Sequence, residues 1–262
     1  MKIIDIHTHI YPDDIAQKAT DSVRNFYGIG EGNMDGTEGL LLRRGKEAGI
    51  SRFVLLPVAI RRDRVSPINN FILQKARENP DYIPFGTVHA AMDGLIEETE
   101  RLLAANVKGI KMHPDSQCFA IDDPRLFPLY ETIRGRIPVL LHMGDKRYNY
   151  SHPIKLRKIL DMFPGLDAIA AHFGGYSMYE TARDLLLDTN CVLDISSSIM
   201  MMEPGMPEKY INTYGAERMA FGSDYPMYDP VTEVKRLMQL RLTDGQKEQI
   251  AHKTAERILG LD

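Results

Sequence analysis

The stretch "IDIHTH" at residues 4–9 carries two histidines, His7 and His9, with one threonine between them. Alternate side chains of a strand share a face, so at the end of a short apolar strand both imidazoles point the same way. Four more histidines close apolar runs further along: His89 after "FGTV", His113 in "GIKMHP", His142 in "VLLHMG" and His172 in "AAHFGG". Asp224 closes a further run, "FGSD". Any one of these reads as an ordinary satisfied polar residue. As a set they read differently, because imidazoles and a carboxylate gathered in one place repel or go unsatisfied unless a cation or a substrate organises them. Zinc favours this mixture of nitrogen and carboxylate oxygen donors. Only His152 and His252 of the eight histidines stand outside the pattern.

The elements that must position these residues can be read from periodicity. Short apolar or β-branched runs at 2–6, 52–56, 83–88, 107–112, 138–141, 168–171, 191–195 and 219–222 predict eight strands. Helical patterns lie between them at 66–79, 94–105, 125–134, 153–163, 177–187 and 229–239, with a closing helix near 243–259. Apolar strands alternating with helices imply a parallel sheet covered on both faces, and eight such units imply an α/β fold, a TIM-type (β/α)8 barrel, regular or distorted. Strand C-termini then converge on one face, where this fold builds its sites. An open doubly wound sheet competes, but a glycine-rich phosphate turn should follow its first strand, and histidines stand there instead. Residues 11–37 carry a helix-like piece and then the glycine-rich "GIGEGNMDGTEG", an inserted loop expected to cover the barrel mouth or to be mobile. No repeat or linker appears, so 1–262 reads as a single domain. Small residues before His172 (Ala168, Ala170) and before Asp224 (Ala220, Gly222) are expected to face inward with them.

Composition narrows the function. The 262 residues are 44% hydrophobic and 26% charged, with a formal net charge of −4. That is ordinary for a soluble globular chain and leaves no basic footprint for nucleic acid. Neither a signal-like apolar leader nor a bilayer-spanning run is read, which predicts a cytoplasmic protein with no membrane partner. Cys118 and Cys191 form no CxxC pair and no disulfide framework, so both are expected to be plain thiols.

The chain resembles the amidohydrolase superfamily, in the amidohydrolase-related branch that includes aminocarboxymuconate-semialdehyde decarboxylase and related decarboxylases, hydratases and hydrolases. The resemblance runs through "IDIHTH", "GIKMHP", "VLLHMG", "AAHFGG" and "FGSDYP" to "TAERILGL" at 254–261, so it covers almost the whole sequence. It implies His7, His9, His142 and Asp224 as metal ligands, and His172 as a further ligand or as the catalytic histidine beside the metal. One divalent ion is expected, zinc first, with manganese or iron acceptable to the same donors; a second metal is not expected. Some superfamily members bridge two metals through a carboxylated lysine on the fourth strand. In this branch a K-x-H-P ending is common without a second ion, so Lys111 reads as a buried or substrate-facing amine and His113 as a rim donor to a substrate oxygen. The family's last motif begins Asn-Ala where this chain has Thr254-Ala255, a departure that touches a structural cap. Relatives are often dimeric, so a homodimer is compatible with the reading.

A metal with an open position lowers the pKa of bound water toward about 7. Asp224 could then move the water's proton to a leaving group, and His172 could polarise the attacked carbonyl. With an unsaturated carboxylic acid the same groups could add water or protonate the carbon that loses carbon dioxide. The expected protein is therefore a metal-dependent hydrolase or carboxy-lyase for a small, carboxylated organic substrate. Arg147 and Tyr148 in "GDKRYNYSHP", with His113 and Lys111, are the substrate-binding candidates; Arg61, Arg62 and Arg64 could also reach the mouth, though each reads equally well as a solvated charge. Tyr176 and Tyr225 are candidate aromatic walls, His89 is a weaker polar candidate, and Met200 to Met202 read as apolar lining or a contact surface. Two alternatives stand: a phosphoesterase or nuclease on a similar barrel, which would place a bridging glutamate on the middle strands, and a catalytically silent metal-binding protein.

Overall fold

The computed structural model describes residues 1–30 and 32–261; Glu31, within the glycine-rich loop, lies outside the described residues. Eight parallel strands run in chain order: β1 (Ile4–Thr8), β2 (Arg52–Leu55), β3 in two pieces (Tyr82–Pro84 and Gly86–Thr87), β4 (Ile110–Met112), β5 (Val139–Leu141), β6 (Ala168–Ala170), β7 (Val192–Asp194) and β8 (Met219–Ala220). At the break in β3, the Phe85 amide donates to Leu55 O at 3.2 Å and the Gly86 amide to Gly109 O at 2.9 Å, so both neighbours stay paired. The ring closes between the extension of β8 and β1: Ile6 N–H donates to Phe221 O at 2.9 Å, Asp224 N–H to His7 O at 2.8 Å and His9 N–H to Tyr225 O at 2.8 Å. The fold is the expected (β/α)8 barrel.

Helices follow as α1 (Ala16–Tyr27), α2 (Glu38–Ala48), α3 (Val65–Glu78), α4 (Leu95–Ala104), the single turn α5 (Pro114–Gln117), α6 (Phe127–Ile133), α7 (Pro153–Met162), α8 (Tyr179–Leu186), α9 (Met206–Tyr214) and α10 (Pro230–Gln239). Helices α2, α5 and α9 add to the expected set. The closing helix comes as α11 (Asp244–Glu248), a π turn (Gln249–Lys253) and α12 (Thr254–Leu259). Within that turn Ile250 O accepts the amide of Phe221 at 2.8 Å, tying the C-terminus to the last strand. Thr254 is fully buried within the continuous closing helix and caps no helix end; its hydroxyl donates to Glu217 O at 3.2 Å and ties that helix to the segment before β8. Among the described residues no helix is long and apolar enough to cross a membrane. Cys118 and Cys191 are both free thiols.

One apolar cluster fills the barrel: Ile4, Ile6, Val54, Ile83, Phe85, Leu140, Ile169, Val192 and Ala220, with Ala255 and Leu259 of α12 packed against it. Burying side chains of this size contributes about 1.5–3 kcal/mol each, which fixes the strand ends on which the site depends. Gly109 makes room, since a Cβ there would lie 2.3 Å from the Phe85 ring.

One expectation about facing needs correction. Ala168 and Ala170 pack with Leu156, Ile159 and Ala182 in the cluster beneath the outer helices, while Ile169 and Ala171 face the interior. The strand ends at Ala170, and left-handed backbone at His172 (φ 60°) and Phe173 (φ 53°) resets the direction of the chain, so His172 is not reached by alternation. In β1 the pairing with β2 slips: Asp5 faces Phe53 but Thr8 faces Leu55, three steps against two. This bulge lets Ile4 and Ile6 serve the core while His7 and His9 still project into the mouth. The inserted segment is held over that mouth. Tyr11 N–H donates to Gly36 O at 3.0 Å, Arg24 donates to Gly30 O and Pro226 O at 3.0 and 3.2 Å, and Met34 is buried.

Candidate metal centre

At the C-terminal end of the barrel His7 Nε2 lies 3.5 Å and His9 Nε2 3.7 Å from Asp224 Oδ1, so three donor atoms converge. Asp224 arrives on the β8 extension with φ 61°, its amide bonded to His7 O and its second carboxylate oxygen accepting from the Ser197 hydroxyl. Beneath it Gly222 has no choice of size, because a Cβ there would stand 2.7 Å from His7 Cβ. Asp5 ties the two strand ends from below, one oxygen accepting the amides of His7 (3.1 Å) and Ser223 (2.9 Å). Its other oxygen is buried without a partner, and burial pushes this carboxyl up to about 7.

The histidine tautomers follow from their partners. His7 Nδ1 faces Asp194 Oδ2 at 2.8 Å and His9 Nδ1 faces Leu56 O at 2.7 Å, and both partners can only accept. Each Nδ1 therefore carries the proton, and each Nε2 turns a lone pair toward the Asp224 carboxylate. Three acceptors facing one another repel in a buried setting unless a cation lies between them. This outer-shell wiring is also what metal-ligating histidines require. Burial holds His9 well below the usual histidine value, keeping it neutral and ready to ligate. Lys111 is 1% exposed and its Nζ donates to His7 Nε2 at 3.3 Å; burial lowers the ammonium to about 8, with Asp194 and Asp224 opposing that fall. This amine answers His7 alone and leaves the His9 and Asp224 pair facing. The donor set fits a divalent ion. Asp194 is fully buried, yet the hydrogen bonds it accepts from His7 and Ser196 outweigh that burial and keep it ionised well below the usual carboxylate range.

A second row of rings lies beside this cluster. Ser196 O, only an acceptor, lies 3.1 Å from His172 Nδ1, so His172 Nε2 accepts from His142 Nδ1 at 2.9 Å. His142 Nε2 is then an acceptor, 3.3 Å from the Tyr27 hydroxyl. At the far end the Ser116 amide donates to His113 Nδ1 at 3.3 Å, so His113 Nε2 carries its proton and donates it to Tyr27 Oη at 2.6 Å. The hydrogen bonds thus run in one direction, from His113 through Tyr27, His142 and His172 to a backbone carbonyl. Burial lowers His113 and His142 well below their usual value and His172 to about 4, so all three are neutral near pH 7. His113 and His142 stack with centroids 4.0 Å apart, and Tyr176 stands 5.9 Å from His142 and 5.7 Å from His172. Below them Asp115 accepts from Ser151 at 2.5 Å and lies 3.8 Å from His142 Nε2; burial raises it to about 6.

Of the ligands implied by the resemblance, His7, His9 and Asp224 stand together, while His142 stands with His172, His113 and Tyr27. Lys111 lies deep and His113 lies at the rim, as one shared strand face requires. Arg147 turns its fork to Asp145, at 3.0 and 2.7 Å, and gives a third bond to Phe26 O at 2.6 Å. Tyr148 is 38% exposed and stacks on Phe26 with centroids 5.7 Å apart. His89 leans on Phe119, Arg61 pairs with its neighbour Asp63, Arg62 and Arg64 are exposed, and Tyr225 is buried with its hydroxyl on Thr37 O. Met201 is exposed, while Met202 packs against the outer core. Sequence reasoning missed Asp194, Asp115 and Tyr27. Asp194 was visible as the last polar residue of a predicted strand, "CVLD". Tyr27 gave no such signal, because its place depends on how the insertion folds back.

A family model described as amidohydrolase matches residues 4–261. Comparison with curated proteins gives no match. Among solved structures, an uncharacterized TIM-barrel protein from Bordetella bronchiseptica superposes with a TM-score of 0.83 at 22% identity, covering 99% of each chain. A 5-carboxyvanillate decarboxylase from Sphingomonas paucimobilis gives 0.78 at 16% identity, covering 100% of this chain and 99% of that one. A dihydroxybenzoic acid decarboxylase from a Polaromonas species, with bound manganese and the inhibitor 2-nitroresorcinol, gives 0.76 at 14% identity, covering 99% and 97%.

Proposed function

We propose that this chain, which belongs to the amidohydrolase family, is a metal-dependent carboxy-lyase for a small carboxylated aromatic acid. The observation that carries the reading is the convergence of His7 Nε2, His9 Nε2 and Asp224 Oδ1, each histidine locked by an acceptor behind it. These three residues would hold one divalent ion, zinc first and manganese as in the Polaromonas relative, with His142 as the fourth ligand. The ion would supply Lewis acidity toward a substrate oxygen. A second ion is disfavoured by Lys111, whose ammonium already borders His7.

The chain's own groups suit a planar anion. Tyr27, Tyr176 and the stacked His113 and His142 offer ring faces and edges, and Lys111 offers positive charge. Loss of carbon dioxide requires a proton at the carbon it leaves. Asp224, with one oxygen held by Ser197, would hold and deliver that proton, and neutral His172 would orient His142 and accept from it. Decarboxylation is favoured over hydrolysis by the names of the decarboxylases that share this fold, and the bridging glutamate expected of a phosphoesterase is missing from the donor clusters among the described residues.

Metal analysis of the purified protein followed by turnover tests the reading. Carbon dioxide release from hydroxylated benzoates would support it, and hydrolysis of esters or lactones alone would replace it with the hydrolase reading. Metal content below about one-tenth of an equivalent under metal-replete expression would remove the site.

A further inference from the structure

We infer that Tyr27, delivered by the insertion between β1 and β2 and oriented by His113, is the specificity-determining end of the substrate pocket, its hydroxyl holding an oxygen substituent of a carboxylated ring. The inference rests on the proposed carboxy-lyase reading and on His142 as a metal ligand. Tyr27 is the last residue of α1, which stops at Gly28 in a left-handed conformation (φ 65°). Its hydroxyl stands at the meeting point of two imidazoles, taking the proton of His113 Nε2 at 2.6 Å and giving its own to His142 Nε2 at 3.3 Å. A phenol oxygen in that place occupies the position a hydroxylated or carboxylated ring would use to accept from His113. An ion on His142 Nε2 would take the lone pair that now receives the Tyr27 proton. The O–H is then released to turn toward a substrate oxygen, while His113 goes on donating to Tyr27.

The position of Tyr27 is fixed from outside the barrel. Arg147 donates to Phe26 O, holds Asp145 with its fork, and lays its guanidinium carbon 4.9 Å from the Phe26 ring and 5.2 Å from the Tyr27 ring. Tyr176 supports the phenol edge-on, with centroids 5.4 Å apart. Arg147 is therefore a positioning residue for Tyr27.

Isothermal titration of the zinc-loaded protein with 2,6-dihydroxybenzoate tests this, alongside zinc titration of the metal-free protein. Tyr27→Phe keeps the ring contacts and should weaken 2,6-dihydroxybenzoate binding about tenfold or more. The same variant should bind zinc slightly more tightly, by about two- to fivefold, because the bond competing for His142 is gone. His113→Asn, which leaves α1 untouched, should weaken the same acid by a similar factor. Arg147→Met should raise KM with little change in kcat, and Arg147→Lys should restore part of the loss. Wild-type affinity of Tyr27→Phe for both zinc and the acid would overturn the inference while leaving the carboxy-lyase reading intact. A zinc-loaded wild type that binds neither this acid nor other hydroxylated benzoates would overturn both.

Discussion

Asp194→Asn is the sharpest test of the tautomer wiring. One Asp194 oxygen accepts three bonds, from His172 N–H at 2.9 Å, Ser196 N–H at 3.0 Å and the Ser196 hydroxyl at 2.5 Å; the other accepts only His7 Nδ1–H. An asparagine must put its single oxygen on one side. Facing it toward His7 would turn its amino group onto two backbone N–H donors and lose three bonds, at about 1 kcal/mol or more apiece. The oxygen therefore stays with the three donors, and the amino group faces His7 Nδ1. His7 must then move its proton to Nε2, where it points at Asp224 and blocks the lone pair offered to the ion. Changes of this kind behind a ligand cost about 10- to 100-fold in metal affinity, or about 1.4–2.7 kcal/mol. The upper end is expected here, since both the tautomer and the buried charge change. Competition with a chromophoric chelator at pH 7.5 measures the affinity, with circular dichroism and Tm as controls for folding. An Asp194→Asn protein that folds normally and binds zinc as tightly as wild type would refute the wiring.

Three further outcomes are expected. Gly222→Ala forces a methyl to 2.7 Å from His7 Cβ and 3.2 Å from Ser196 Cβ, so stability should fall by about 1–3 kcal/mol, read as a lower Tm, with weaker zinc binding. Glu233 is 2% exposed; burial raises its carboxyl to about 7 although Arg236 opposes this, so the native state holds a proton that the unfolded chain releases above about 4.5. Its contribution is complete below that pH and lost as pH rises through 7, and Glu233→Gln should flatten this slope by up to about 3 kcal/mol in urea titrations between pH 4.5 and 8. His172→Asn should retain zinc, because His7, His9 and Asp224 remain, while turnover falls by about 100-fold or more in steady-state assays; a fully active variant would remove His172 from the chemistry.

Where the chain's own periodicity sets the geometry, the site could be read in advance. Parallel strands in a barrel bring their C-terminal ends together, so His7, His9 and Asp224 could be grouped without knowing any contact distance. Lys111 and His113 could be ordered by depth, because one strand face must carry them in sequence. Reasoning from alternation failed at Ala168 and Ala170, since three residues of strand followed by left-handed backbone do not carry a phase as far as His172. Loop position alone could not place Arg147, whose fork the nearby Asp145 takes; Arg61 beside Asp63 repeats that local pairing. Tyr27 lay beyond any local pattern. Its position results from Arg147, Arg24 and Tyr176, which come from three separate parts of the chain.

The slip in pairing between Asp5 and Thr8 separates two tasks that an unbroken strand would have to share. In a regular strand, shifting the ligands would shift the core residues with them, and any exchange at one position would constrain the other. The extra residue uncouples them: Ile4 and Ile6 answer to the volume inside the barrel, His7 and His9 to whatever is coordinated above it. Ligand identity on β1 is thereby free to vary without repacking the interior, while deletion of a single residue in this short segment would disturb both at once.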